Sequence, residues 1–308
     1  MKLPLVSVGM CTFNNETTII ESIKSLQSQN YDNWELIIID AFSSDNTRKC
    51  IDGIAKYDSR IKTFYLESQQ PWTKLTLQQL AYASGDYFMW LDADDLISSN
   101  WISCLLSVHQ KKDCLVAIGL LNLIDNNGNI ITNHVCSRRL FKFASSEHEF
   151  IRVIGCLLTP EPYGLVNSLY GLWDTNKLRN MNFWKPYDDN LAFDQFFTLE
   201  TLKVGKVCYV DGVCHARRSN WKISKVTNKF NDSDPEVMKV NKFKISEYLY
   251  QMAICRPPYK MYLNWVKNQT NVKMFTYFCI LNIRNAISIG SPLVTRANKL
   301  FYYKASKW

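Results

Sequence analysis

Short apolar runs alternate with longer amphipathic segments along the first ninety residues of the chain. The apolar runs are LVSVGMC at 5–11, ELIIID at 35–40, IKTFYL at 61–66 and DYFMWLD at 86–92. The segments between them, at 16–28, 46–57 and 73–84, have the length and spacing of amphipathic helices. Continuous apolar strands that alternate with helices are typical of βαβ units, whose parallel sheets are covered on both faces. The pattern therefore predicts a doubly wound α/β domain.

The pattern becomes irregular in the second half of the chain. We predict a hairpin at 125–129, where DNNGN separates two apolar runs, and then a helix at 191–203 followed by a strand at 206–210. The polar segment at 215–234 predicts a loop. From residue 235 the spacing of apolar residues is helical again, which predicts a separate helical extension.

Positive charge is concentrated at the C-terminal end. The 308 residues include 36 Lys and Arg and 28 Asp and Glu, which gives a net charge of +8. From residue 242 onward there are eleven basic residues and one acid, Glu247, so the rest of the chain has 25 basic and 27 acidic residues. A basic segment on a near-neutral body indicates a polyanionic partner. Because this segment is rich in Tyr, Phe, Leu and Ile and has no nucleic-acid-binding motif, we predict an anionic membrane surface and no nucleic acid.

The N-terminus and the cysteines both indicate a cytoplasmic location. MKLPLVSVGMC has one lysine and a short apolar run, without the cleavage site of a signal peptide. The ten cysteines are scattered singly, with no CxxC pair or zinc-type spacing, which is typical of reduced thiols. The longest uncharged apolar run of the basic segment, MFTYFCILNI, is too short to span a bilayer. We therefore expect a cytoplasmic protein that binds the inner face of the cell membrane peripherally.

Acidic residues end two of the predicted strands. ELIIID ends at Asp40, and YFMWLDADD runs directly into Asp92, Asp94 and Asp95. Ligands of an open parallel sheet bind beyond the carboxyl ends of the strands, so we expect these acids in one crevice. Three carboxylates so close in sequence repel one another unless a cation lies among them. Because carboxylate oxygens are hard ligands, the cluster predicts a Mg²⁺ or Mn²⁺ site.

Three blocks of sequence together resemble a known family. SVGMCTFNN, IIIDAFSSDNT and SGDYFMWLDADD are similar to segments of the family 2 glycosyltransferases with the GT-A fold. The resemblance is close over the first hundred residues and continues as scattered motifs to about residue 220. It implies a GT-A domain at 1–220, with a Rossmann-like, mostly parallel sheet flanked by helices. Residues 1–100 would bind the nucleotide and residues 101–220 the acceptor, and a basic amphipathic helical tail would follow at 235–308.

The resemblance also implies a reaction. The expected activity is inverting, metal-dependent transfer of a hexosyl or N-acetylhexosaminyl group from a nucleotide sugar, with UDP as the expected nucleotide. The acceptor would be a hydroxyl group of a glycan or a lipid-linked molecule in bacterial surface-polysaccharide synthesis. Thr12 and Phe13 would line the nucleotide pocket, and Asp40 would hydrogen-bond the uracil ring. Asp92 would face the ribose and the metal, and Asp94 would bind the cation.

Two further site residues are implied by their positions. Asp194, in NLAFDQFF, lies where the family has the acid that opens a helix and acts as the general base, with Asp188 and Asp189 as alternatives. His215, in CHARRSNW, lies where related enzymes have a third metal ligand or a diphosphate contact. The two arginines that follow it would help to hold the phosphates.

One departure from the family's pattern affects the nucleotide pocket. The family often has Asp-Asp-Gly after the second strand, whereas this chain has Asp40-Ala41-Phe42. Part of the nucleotide contact is therefore expected to differ from the family's.

Other functions fit parts of the same pattern. An apolar strand that ends in Asp-x-Asp is also the nucleophile motif of haloacid-dehalogenase-like phosphatases, but there Thr or Val follows, whereas Asp95-Leu96 follows here. A catalytically inactive nucleotide-sugar-binding protein is the non-enzymatic alternative, and the presence of all the strand-end acids argues against it. No GxGxxG follows a predicted strand, which argues against a Rossmann dehydrogenase.

Overall fold

The computed structural model describes residues 3–134, 143–158, 165–181 and 193–218. The strands in these ranges are β1 (Val6–Thr12), β2 (Trp34–Asp40), β3 (Ile61–Tyr65), β4 (Tyr87–Trp90), β5 (Leu96–Ile97), β6 (Val116–Ile124), β7 (Ile130–His134), β8 (Leu172–Asp174) and β9 (Val207–Arg218). The helices are α1 (Ile19–Gln27), α2 (Thr47–Ala55), α3 (Trp72–Tyr82), α4 (Trp101–Lys111), α5 (Glu149–Leu158), α6 (Thr175–Arg179) and α7 (Phe193–Val204). A 3₁₀ helix spans Leu165–Tyr170.

The strands form one mixed sheet in the order β3-β2-β1-β4-β8-β6-β9-β5, and β7 pairs with β6. Strands β1 to β4 are parallel to their neighbours within this group, which confirms the predicted α/β fold of the first half. The second half is mixed, because β8 is antiparallel to both β4 and β6, whereas β9 is parallel to β6 and antiparallel to β5. The second half of the chain thereby continues the same sheet on the far side of β4.

The apolar run of β2 is continuous because both faces of this strand are covered. All seven residues of β2 are buried, and the strand lies between β1 and β3. Leu36 and Ile38 pack with Ile23 of α1 on one side, and Ile37 packs with Leu80 of α3 on the other. Each fully buried Leu or Ile side chain contributes about 1.5–3 kcal/mol, so this central strand anchors the domain.

Glu35 of β2 is a buried carboxylate that accepts several hydrogen bonds. Glu35 of β2 accepts hydrogen bonds from Ser7 Oγ (2.6 Å), from the Ser84 backbone N and Oγ (2.7 Å each), and from Lys62 Nζ (2.5 Å). Burial favours a raised pKa, but the bonds from Lys62, Ser7 and Ser84 outweigh it and lower the pKa of Glu35 from 4.5 to about 2. The carboxylate therefore joins β1, β2 and β3 to the turn that precedes β4.

This network predicts an acid-sensitive contribution to stability. Because the pKa of Glu35 is depressed in the folded state, its contribution is present above pH 4.5 and is lost as the pH falls toward about 2. We expect Glu35→Gln to lower the free energy of unfolding by about 1–3 kcal/mol at pH 7 and to flatten its decline below pH 4.5. Urea denaturation at several pH values measures both effects. Glu147→Gln, at an acid whose side chain is 77% exposed, is the control, and equal pH profiles for all three proteins would contradict the prediction.

The structure confirms the predicted hairpin and corrects the predicted end of β9. Residues 125–129 connect β6 to β7, and Gly128 has the positive φ (81°) that such a turn requires. The strand predicted at 206–210 instead continues to Arg218, because the Asp211-Gly212 pair forms a bulge rather than a turn. Gly212 has φ 80°, and the pairing of β9 with β6 shifts there and then resumes.

Several predictions concern residues that the structure does not describe. The basic helical tail predicted at 235–308 lies outside the described residues, and so do Asp188 and Asp189. Among the residues that are described, no helix has both the length and the apolar character needed to cross a bilayer.

Candidate functional site

The carboxyl ends of β1, β2 and β3 form a row of functional side chains. Thr12 lies beside Asp40, and Asp40 lies beside Tyr65, in the register of the three parallel strands. Thr12 and Asp40 are buried, whereas Tyr65 is partly exposed. The predicted nucleotide-pocket residues of β1 and β2 are therefore brought together at the edge where ligands of a parallel sheet bind.

The two carboxylate oxygens of Asp40 differ in their hydrogen bonding. Its Oδ2 accepts hydrogen bonds from the Ser43 backbone N (3.1 Å) and from Arg48 Nε (2.6 Å). Its Oδ1 is buried and has no hydrogen-bond partner among the described residues. A buried acceptor without a partner is costly, so Oδ1 is suited to accept an N–H group from a ligand.

The loop after β1 is fixed to the loop after β2. Asn15 Oδ1 accepts hydrogen bonds from Thr12 Oγ1 and from the Phe13 backbone N, both at 3.0 Å. The Asn14 backbone N donates to Ser43 Oγ, and the Ser44 backbone N donates to Asn14 Oδ1, both at 2.9 Å. The Phe13 side chain is 44% exposed at this edge, which leaves it accessible to a ligand.

The acidic segment after β4 combines three carboxylates in different environments. Burial, together with the neighbouring Asp95 and Asp94 carboxylates, raises the pKa of Asp92 to about 7, although Tyr170 donates a hydrogen bond to its Oδ2 (2.9 Å). Burial and Asp95 also raise the pKa of Asp94. Raised pKa values mean that the ionised cluster lacks sufficient positive charge from the protein. A bound cation would supply that charge.

The Asp95 carboxylate pairs with β9. Its Oδ2 is 2.7 Å from His215 Nε2, and its Oδ1 accepts a hydrogen bond from the Arg218 backbone N (2.8 Å). Both Asp95 and His215 are only 1% exposed, and the His215 ring packs against Tyr170, with 4.8 Å between ring centroids. The loop predicted at 215–234 is wrong for His215, which is a buried residue of β9. Nε2 of His215 faces Asp95, and Nδ1 has no partner among the described residues. The role of His215 as a metal ligand stays a prediction.

Arg218 joins the acidic segment to two distant parts of the chain. Its guanidinium donates to the side chain of Glu21 in α1 (2.5 Å) and to three backbone carbonyl oxygens, those of Asp94 (2.9 Å), Asp125 (3.0 Å) and Asn126 (2.7 Å). The side chain is almost fully buried. Arg218 therefore fixes the backbone that carries the Asp94 carboxylate, rather than facing a phosphate group as predicted. The Arg217 guanidinium lies 5.8 Å from the centre of the Tyr170 ring, and its charge partly offsets the burial and acid repulsion that raise the pKa values of Asp92 and Asp94.

The carboxylates of the acidic segment suit a metal ion that also takes ligands from outside the protein. Carboxylate oxygens of Asp92 and Asp94 are the hard ligands that Mg²⁺ and Mn²⁺ prefer. In the part of the chain that the structure describes, no three His, Cys, Asp or Glu side chains are arranged to hold a metal. Such a set fits a cation that keeps water or phosphate oxygens among its ligands, as Mg²⁺ does in phosphate-binding sites.

The helix that carries Asp194 contacts the acidic segment through an intermediate element. Asp194 is the second residue of α7, and its side chain is not among those described. Thr198 Oγ1 of this helix is 3.1 Å from Ser168 Oγ, which lies in the same 3₁₀ helix as Tyr170. The far end of α7 is held by Arg152, whose guanidinium donates to the Leu202 carbonyl oxygen (2.7 Å).

Comparisons with known proteins agree with this arrangement. Residues 7–158, about half of the chain, match the model of glycosyl transferase family 2. An Escherichia coli relative, UDP-Glc:alpha-D-GlcNAc-diphosphoundecaprenol beta-1,3-glucosyltransferase WfgD, is 35% identical over 136 residues, which are 44% of this chain and 53% of that protein. Two relatives from Haemophilus influenzae, each described as an uncharacterized glycosyltransferase, are covered over 36% and 56% of their lengths.

Solved structures show the same fold. The structure of S. aureus TarS 1–349 in complex with UDP-GlcNAc has a TM-score of 0.52 and 18% identity, over 71% of this chain and 60% of TarS 1–349. The structure of GalNAc-T7 with UDP, GalNAc and Mn²⁺ has a TM-score of 0.53 and 13% identity, over 71% of this chain and 44% of GalNAc-T7. The family match and the topology confirm the resemblance to the glycosyltransferases over the phosphatase alternative. Residues 7–158 therefore form a glycosyl transferase family 2 domain, and the described part of the chain has the GT-A fold.

Proposed function

We propose that this protein transfers a sugar from a nucleotide-sugar donor, with UDP as the nucleotide, to a hydroxyl group of a lipid-linked glycan acceptor. The observation that carries the proposal is the grouping of Asp40, Asp92 and Asp94 at one edge of the sheet. Asp40 Oδ1 has no hydrogen-bond partner among the described residues, which suits the N–H group of a nucleotide base. Asp92 and Asp94 have raised pKa values, which suits a cation bound together with a diphosphate.

The donor would be held from two sides. Asp40 Oδ1 would accept the N3–H of uracil, in the pocket that Thr12 and Phe13 line. Asp94, with Asp92, would hold a Mg²⁺ or Mn²⁺ ion beside the diphosphate. When bound, this ion supplies positive charge against the negative charge that develops on the leaving nucleoside diphosphate. The hydrogen bonds of Asp95 and Arg218 keep the acidic segment in place, so the carboxylates need no rearrangement as the bond breaks.

The chemical step we propose is a single displacement with inversion. The acceptor oxygen attacks the anomeric carbon, the bond from that carbon to the phosphate oxygen breaks, and the acceptor proton passes to the Asp194 carboxylate. This role is proposed from the position of Asp194 at the start of α7, where the family has the acid that acts as the general base. No covalent intermediate is required, since one acid and one cation suffice for the transfer.

Lipid-linked acceptors are proposed from the printed name of the E. coli relative, whose substrate is a diphosphoundecaprenol-linked sugar. Such acceptors lie at a membrane surface, and polysaccharide synthesis is the corresponding setting. The basic segment from residue 242 onward would hold the enzyme there peripherally by its eleven Lys and Arg residues. We expect flotation with anionic vesicles that weakens at high salt and is lost when residues 242–308 are deleted. Equal flotation with neutral vesicles would contradict this prediction.

A screen of nucleotide sugars tests the proposed activity. The purified full chain is incubated with each UDP-, GDP- and CDP-sugar, with Mn²⁺ or with a chelator, and release of the nucleoside diphosphate is measured. We expect release from a UDP-sugar that requires the cation and increases when a diphosphate lipid-linked acceptor is added. Tight UDP-sugar binding with no release under any of these conditions would instead support an inactive nucleotide-sugar-binding protein.

A further inference from the structure

Phe42 adopts a backbone conformation that a large side chain rarely accepts. Its φ angle is 69°, in the left-handed region that glycine occupies without penalty. The family often has glycine at this place, so the phenylalanine of this chain occupies a position that glycine would fill without strain. Bulky residues held in such conformations cluster at ligand-binding sites, where the surrounding structure imposes them.

The Phe42 side chain lies on the exposed edge of the candidate site. It is 49% exposed, two residues after Asp40 at the end of β2. The Arg48 guanidinium, which holds Asp40 Oδ2 at 2.6 Å, lies 5.9 Å from the centre of the Phe42 ring and 5.4 Å from that of Tyr65. A partly exposed aromatic ring is therefore placed beside the carboxylate whose Oδ1 lacks a partner.

Hydrogen bonds fix the loop that follows Phe42. The Ser43 backbone N donates to Asp40, and Ser43 Oγ accepts a hydrogen bond from the Asn14 backbone N (2.9 Å). Farther along the same loop, the Asn46 backbone N donates to Glu16 Oε2 (2.8 Å). These bonds fix the loop that carries the ring, whose surface is 49% exposed and therefore available to a ligand.

We propose that Phe42 is a base-stacking residue, whose ring contacts the face of the donor's uracil while Asp40 Oδ1 accepts an N–H at the edge of the same base. The inference rests on the proposed function and names an additional contact within that site. A flat apolar face and an edge acceptor together recognise a base, whereas neither recognises a phosphate. The phenylalanine at the glycine position thereby gains a role that accounts for its conformation.

The test compares UDP with inorganic pyrophosphate, which has the diphosphate but no base. Calorimetry in Mn²⁺ measures the affinity of wild type and of Phe42→Gly for each. We expect the substitution to weaken UDP binding about tenfold or more, which is typical of a lost base stack, and to leave pyrophosphate binding unchanged. Because glycine accepts φ 69° freely, we expect the unfolding temperature to be unchanged or raised.

Two further variants keep the test decisive. Phe42→Asn removes the ring while retaining a residue that tolerates the left-handed conformation, so it should repeat the loss of UDP affinity. Phe150→Ala removes a phenylalanine of equal exposure (49%) on α5 and should leave both affinities unchanged. The stacking role of Phe42 would be wrong if both Phe42 variants bound UDP as tightly as the wild type, or if they lost equal affinity for UDP and pyrophosphate. Either result would leave the proposed function standing. Wild-type protein that binds UDP no more tightly than pyrophosphate would overturn the proposed nucleotide specificity itself.

Discussion

Asp94→Asn is expected to lower the release of UDP from the donor about 10³-fold or more. The substitution conserves the shape of the side chain but removes the negative charge that we assign to the cation, and the charge stabilisation lost is of the order of several kcal/mol. The same variant should bind UDP in Mn²⁺ only as tightly as the wild type binds it without the cation. Turnover assays and calorimetry with and without Mn²⁺ measure the two effects separately.

Asp113→Asn is the control for the Asp94 variant, because the Asp113 side chain is 85% exposed and pairs with Lys177 away from the acidic segment. We expect this control to match the wild type in both assays. The structure also predicts that Asp94→Asn folds normally, since the hydrogen bond from Arg218 goes to the backbone carbonyl of residue 94. Equal UDP affinity of the wild type with and without Mn²⁺ would remove the cation from the proposed site.

Asp194→Asn is expected to lower turnover by roughly 10²- to 10⁴-fold, the range for a positioned general base. Asparagine cannot accept the proton of the acceptor hydroxyl, whereas it preserves the size of the side chain at the start of α7. The affinity for UDP in Mn²⁺ should stay at the wild-type value, because we assign Asp194 to the acceptor. The measurement is UDP release from the donor in the presence of a short diphosphate lipid-linked acceptor.

Glu200→Gln provides a matched control on the same helix, where Glu200 pairs with Lys203 (3.3 Å). It should leave turnover unchanged. If Asp194→Asn retained full turnover, the base would be sought at Asp188 or Asp189. A loss of UDP affinity in Asp194→Asn would instead assign this residue to the donor side of the site.

The strands and helices of the first half were predictable because their signals are local. A strand covered on both faces needs a continuous apolar run, as in β2, and an amphipathic helix needs apolar residues at helical spacing, as in α1. The convergence of Asp40 and the acidic segment also followed, since parallel neighbours end at one edge. These inferences depend only on periodicity and strand direction.

The different hydrogen-bond partners of the three acids in the acidic segment were not predictable, because those partners come from distant parts of the chain. Asp94 and Asp95 are adjacent and chemically identical, yet it is the Asp95 carboxylate that His215 and the Arg218 backbone N of β9 contact. The polar composition of 215–234 predicts a loop for His215, whereas the pairing of β9 with β6 continues beyond the bulge to Arg218. No local pattern marks Tyr170 or Arg48, whose contacts with Asp92 and Asp40 arise only from the folded chain.

The contact between Arg218 and Glu21 closes a loop of 197 residues in the sequence, and this span has a consequence for the order of folding. A nascent chain emerges from the ribosome N-terminus first, so β1 to β4 can form their parallel sheet while the later strands are still being made. The Asp94 backbone, however, acquires its arginine partner only after residue 218 has been synthesised. Such non-local contacts form slowly, because the entropy of a long loop must be lost before the contact is gained. The parallel part of the sheet, β1 to β4, therefore takes shape early in synthesis, whereas the acidic segment reaches its final geometry among the last parts of the domain.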